Sequence, residues 1–206
     1  MPGDAAINSF WAWFVANSDR FRTMETPAKE GLLDEIVEKL HTIDDRLYFE
    51  VSEPQEGGNE LVITAEGDRE LFPLVDKMVA LAPRLKGWKF TALRPAMGFG
   101  FAVEYSGVKL DPDELWFLPL TAGDDEEHLG LRIGIPRLSP KSTQAAVNAA
   151  WILLDTALGE RRTAETIAHV EVARLPWNPE EAGYIALVEL PDYLQWRESE
   201  GLGGAT

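Results

Sequence analysis

Up to Asp44 the apolar residues of this chain recur at helical spacing, and from Leu47 they come instead in short runs of β-forming residues. Ile7, Phe10, Trp11, Phe14 and Phe21 follow i, i+3, i+4, i+7 steps, which predicts a helix over 7–22 with Trp13 at the flank of its apolar stripe. Thr26-Pro27 offers a cap and a first-turn proline for a second helix to about Asp44, with Leu32, Leu33, Ile36, Val37, Leu40 and Ile43 on its inner face. Residues 47–51 and 60–65 then read as strands around the turn-forming stretch 54–59, an antiparallel hairpin. A third helix is predicted over 70–82, stopping at Pro83.

Further strands are expected at 88–93, 102–105, 115–120, 129–135 and 167–175, with the acidic stretch 123–127 as a hairpin loop. Residues 142–158 are Ala-rich and apolar nearly all round, the pattern of a centrally buried helix, and Gly159 is its stop. A short helical turn near 191–198 and a flexible tail over 201–206 complete the reading. Helices are interspersed with hairpins, βαβ alternation is not regular, and neither a repeat nor a linker divides the chain. The expectation is one α+β domain over 1–200. In it a hairpin-rich, mostly antiparallel sheet packs with two N-terminal amphipathic helices, a middle helix and the long Ala-rich helix.

Charge narrows the function. Thirty-five Asp and Glu against 19 Lys and Arg leave a formal net charge of −16. Nucleic acid is excluded as an expected partner, because its binding is driven by cations displacing phosphate counterions, and Arg161-Arg162 is only a pair. Anionic membrane surfaces are disfavoured for the same reason. The chain has no cysteine, which removes thiolate zinc sites, disulfides and cysteine nucleophiles together. Residues 1–19 lack the Lys or Arg that opens a signal peptide, and the apolar run 145–154 is half the length a bilayer requires. The expected compartment is the cytoplasm.

Four segments, Phe10-Trp11-Ala12-Trp13-Phe14, 60–67 (ELVITAEG), 82–95 (APRLKGWKFTALRP) and 154–160 (LDTALGE), are familiar as a set. Together they resemble a family of uncharacterised bacterial cytoplasmic proteins of about this length, across roughly 10–172, with 87–95 the most specific piece. The resemblance implies one domain and supplies no function or site residue. Because the shared residues are mostly apolar, Gly or Pro, they read as packing and turn positions.

Catalytic signatures are absent. His41, His128 and His169 are scattered and show no metal-ligand spacing, and no metal is expected. There is no Gly-x-Ser-x-Gly elbow and no phosphate loop, so no cofactor is expected either; 95–100 reads as a flexible loop. The acidic runs 111–114 and 124–127 do not match a calcium loop. Glu66 and Glu104 lie among apolar neighbours, where a carboxylate could serve as general acid or base. Trp88, Trp116, Trp151 and Phe90 sit in apolar runs and are expected in the core; Trp13, Trp177 and Trp196 have polar neighbours and are the candidate interface residues, with core packing the leading alternative for them. The leading expectation is an acidic, non-enzymatic binding or regulatory protein for a basic protein partner. Self-association through the aromatic N-terminal helix and carboxylate- or divalent-ion-dependent catalysis are the alternatives.

Overall fold

The computed structural model describes residues 3–22, 26–52, 58–122 and 125–202, with the backbone alone at 22, 26–30, 121–122 and 125–128. The class is α+β, with six α-helices and three mostly antiparallel sheets among the described residues. Two compact units divide the chain, Met1–Arg94 and Pro95–Thr206.

The first unit begins with α1 (Asp4–Asn17), extended by a 3-10 turn over Ser18–Arg22, and continues with α2 (Thr26–His41). The apolar stripes face inward as their spacing requires. Ile7, Phe10, Trp11 and Phe14 are buried on α1, and Leu32, Ile36 and Leu40 on α2. Each such side chain contributes about 1.5–3 kcal/mol on removal from water. β1 (Tyr48–Val51) and β2 (Asn59–Thr64) pair antiparallel, in the register Tyr48↔Thr64 to Val51↔Leu61. Of the turn expected between them at 54–59, residues 54–57 lie outside the described residues.

A 3-10 turn at Arg69–Leu71 and α3 (Phe72–Ala80) carry the chain across to β3 (Trp88–Ala92), which pairs with β2 in parallel. α1 closes over this sheet with aromatic rings. Phe14 meets Trp88 and Phe90 edge-on at 4.8 and 5.5 Å, and Trp11 meets Phe90 at 4.7 Å. The Trp11 Nε1–H donates to the Met78 carbonyl at 2.8 Å, so the indole's one polar atom is satisfied inside the core. Trp88 and Phe90, expected in the core, are half-buried, as are Trp116 and Trp151 in the second unit. Large aromatic side chains are seldom covered on every side.

The second unit opens with the hairpin β4 (Val103–Tyr105) and β5 (Val108–Leu110). Its two-residue turn is Ser106-Gly107, with φ of 48° and 77°. Positive φ at both central residues is the turn that matches strand twist, and Gly adopts it without steric cost. Next comes a four-stranded sheet in the order β8-β7-β6-β9, built from β6 (Trp116–Ala122), β7 (Asp125–Ile135), β8 (Ile167–Arg174) and β9 (Ile185–Ala186). Of the acidic stretch expected as a loop, Asp125 already belongs to β7, while 123–124 lie outside the described residues. Pro119 sits inside β6 where β9, which reaches only Trp116 and Phe117, leaves the strand without a partner on that side among the described residues. A strand proline without its N–H is tolerated at such a place.

β7 and β8 run parallel, joined through α4 (Thr143–Leu158) and α5 (Glu160–Thr166). α4 is not enveloped as its composition suggests. Ala146, Ala149, Ala150, Leu153, Leu154, Ala157 and Leu158 form one buried face, while Ile152 is 41% exposed on the other. The small alanines let the strands approach closely, so the helix needs only one side. Its C-terminal carbonyls are all bonded from Leu154 to Ala157. Thr163 Oγ1 donates to Leu154, Gly159 N–H to Asp155, Met97 N–H to Thr156 and Gly98 N–H to Ala157. The segment read as a flexible loop is thus pinned at Met97 and Gly98 to the helix end, within the 154–160 stretch. α6 (Leu190–Ser199) is a full helix rather than a turn. Gly201 and Leu202 bond back to it, and 203–206 lie outside the described residues.

Candidate functional site

The loop between β8 and β9 begins with Leu175, whose N–H donates to the Ile135 carbonyl at 3.0 Å, and ends with buried Tyr184. Between these anchors the sequence Pro176-Trp177-Asn178-Pro179-Glu180-Glu181-Ala182-Gly183 fixes its own shape. The two prolines restrict φ on either side of the tryptophan. Ala182 N–H bonds to the Asn178 and Pro179 carbonyls, Gly183 N–H to Glu180 and Tyr184 N–H to Pro179. Asn178 Nδ2 donates to Glu181 Oε2 at 2.9 Å.

Beneath the loop, Gly134 of β7 lets it lie close. A methyl group there would come within 2.5 Å of Leu175 Cδ1 and 3.0 Å of Tyr184 Cε1. The outcome is an indole that is 98% exposed on a hydrogen-bonded frame, with exposed Glu180 and Glu181 on the same short loop. Water gains nothing from an ordered, naked indole. Its large rigid face suits contact with another molecule, above all a cation, which the ring quadrupole attracts.

Trp196, the second candidate, is 50% exposed on α6, where Leu190, Leu194 and Arg197 occupy the buried side. Its ring leans on Tyr193 at 5.5 Å, which in turn meets buried Phe117 at 5.4 Å. Trp13 lies in the first unit, half-buried and tilted against Phe10 at 6.4 Å. No ring contact joins Trp177 to Trp196 among the described residues.

The carboxylates expected in apolar settings are instead exposed. Glu66 (φ 51°) holds the Arg94 guanidinium together with Glu50. Arg94 follows Leu93, a buried residue in the left-handed region at φ 61°, conformationally costly for a branched side chain. Within the most specific stretch of the sequence, that strain aims the arginine at two carboxylates. Glu104 is exposed and sits opposite Lys109 across the β4–β5 hairpin. Neither glutamate has the apolar enclosure that a general acid draws on.

Asp111 is a cap: its Oδ1 accepts from Asp113 N–H ahead of the 3-10 turn at Pro112–Glu114. His41 and His169 are exposed, and the His128 side chain lies outside the described residues. Among the described residues no three His, Asp or Glu side chains are grouped to hold a metal ion, and no helix is long and apolar enough to cross a membrane. The Arg161-Arg162 pair is taken up by Glu165 at 3.5 Å and Glu198 at 3.1 Å. No protein-family model, no curated protein and no solved structure matches this chain.

Proposed function

We propose that the protein is a non-enzymatic binding module that docks a basic protein segment on the Trp177 loop. The observation that carries this reading is a rigidly framed, 98% exposed indole beside Glu180 and Glu181. An arginine side chain can stack on the indole face while its guanidinium meets a carboxylate. That combination is worth about 0.5–2 kcal/mol for the cation–π contact, most when water is excluded. The net charge of −16 steers a basic partner from a distance, an effect that raises association rate and is screened by salt.

The test is calorimetric titration of the full chain with an oligo-arginine peptide and an oligo-lysine peptide of equal length, at low and at physiological salt. Arginine is expected to bind more tightly than lysine. Trp177→Ala is expected to erase that preference while leaving the salt-dependent, charge-driven part, and a Glu180→Gln/Glu181→Gln pair to weaken both peptides. Equal binding of the two peptides, or an arginine preference that survives Trp177→Ala, would remove the indole from the site.

A further inference from the structure

A second feature of the Pro95–Thr206 unit is independent of Trp177. A cavity of about 250 Å3 opens between the β4–β5 hairpin, the turn that follows it and the chain leaving β7. Apolar side chains line part of it, with Val108 and Leu138 half-buried and Leu115 and Ile135 buried. Its rim carries two cations, Lys109 on β5 and Arg137 after β7, and two acids, Asp111 and Glu114. Several arginines elsewhere in this acidic chain are paired with carboxylates. Arg20 holds Glu35, Arg46 holds Asp44 and Asp68, Arg94 holds Glu50 and Glu66, and Arg132 holds Glu171. Lys109 and Arg137 hold no carboxylate among the described residues, although Asp111 and Glu114 line the same space.

Opposite charges that share a cavity without closing on one another leave it bipolar. An anion alone meets the acids and a cation alone meets Lys109 and Arg137. A small zwitterion answers both, and an apolar side chain on it would cover Val108 and Leu138. The volume lies below the roughly 300–1,000 Å3 of pockets for drug-sized ligands, which restricts the occupant to a small metabolite. We infer that this cavity binds a small apolar α-amino acid, its carboxylate toward Lys109 and Arg137 and its ammonium toward Asp111 and Glu114. Exposed ion pairs contribute little each, so the binding is weak and bipolarity decides its specificity.

The test is a titration of the isotope-labelled full chain followed by amide NMR. The probes are L-leucine, 4-methylpentanoate, which lacks the amine, and 3-methylbutylamine, which lacks the carboxylate. Leucine is expected to shift the amides of Gly107, Leu115 and Ile135 saturably. Each analogue should bind about two- to fivefold more weakly, the factor for one exposed ion pair. Arg137→Gln should weaken leucine and the acid but not the amine, and Glu114→Gln leucine and the amine but not the acid. Both positions are exposed, and the same spectra report that the variants are folded. No saturable shift with leucine, an analogue that binds as well as leucine, or variants that weaken all three probes alike would overturn the assignment.

Discussion

One tryptophan from each unit, Trp11 and Trp177, shows two opposite uses of the residue. In the first, Trp11 is 3% exposed, its ring set edge-on to Phe10, Phe14 and Phe90 and its N–H bonded to a backbone carbonyl. In the second, Trp177 is 98% exposed on a loop whose backbone hydrogen bonds flank it at Leu175, Asn178 and Pro179. An indole is stabilising where neighbours cover it and is otherwise an invitation to a partner. The contrast therefore separates residues that hold this protein together from residues available for what it does.

Substitution of Phe14 is the strongest way to break that comparison. Its ring is fully buried and touches Phe10, Trp11, Phe21, Trp88 and Phe90. Phe14→Ala is expected to cost about 3–5 kcal/mol, the range for a large aromatic removed from a core. Trp177→Ala should stay within about 0.5 kcal/mol, as surface changes do. Urea denaturation of both variants measures the difference, and comparable losses would mean that Trp177 is a structural residue after all.

Gly134→Ala is expected to act between these extremes. The added methyl meets Leu175 Cδ1 and Tyr184 Cε1 at 2.5 and 3.0 Å, so the loop must shift. Overpacking of this kind costs about 1–3 kcal/mol. Because the strain falls on the frame of Trp177, the arginine preference of the loop should fall with it, even though no residue of the docking face has changed. A destabilised variant that keeps the full preference would show that the frame does not position the indole.

These positions differ in how far the sequence discloses them. The α1 stripe is legible because four buried residues, Ile7, Phe10, Trp11 and Phe14, repeat at one period. The exposure of Trp177 is legible from its flanking prolines and acids, which no helix or strand pattern absorbs. The β4–β5 hairpin had a readable signal, Tyr105-Ser106-Gly107-Val108, but its strands of three residues are too short to show alternation. α5 begins directly after Gly159 and buries only Glu160 and Thr163, so no apolar stripe marks it. The parallel pairings of β2 with β3 and of β7 with β8 join segments far apart in sequence. Local patterns carry no register for them, and hairpin logic alone expects antiparallel neighbours. Lys109 and Arg137 stand on elements whose approach depends on that same non-local packing, and neither residue belongs to a motif.

The smallest expected effect concerns acid, and it sharpens the contrast between the units. Of the carboxylates held below their usual range, Glu35, Asp44 and Glu60 lie in the first unit and Glu171 in the second. Hydrogen bonds from Arg20, Arg46 and Arg132 depress Glu35, Asp44 and Glu171 respectively. Burial raises Glu60, but Lys89 and Thr91 together bring it below the ordinary value. A carboxyl depressed in the folded chain takes up its proton first in the unfolded one. Its contribution is therefore present above the unfolded value and is lost as pH falls through the depressed folded one. These groups are largely solvated, so water and salt screen each exposed pair and its contribution is small. Among the described residues, three depressed carboxylates against one predict that amide exchange protection falls by more on acidification in β2 and β3 than in β6 and β7. Glu171→Gln should flatten the acid response of β7 and β8 and leave that of β2 unchanged. Residue-resolved exchange across the carboxylate range decides it. Equal loss in both sheets would mean that acid acts through the whole charge of the chain rather than through these pairs.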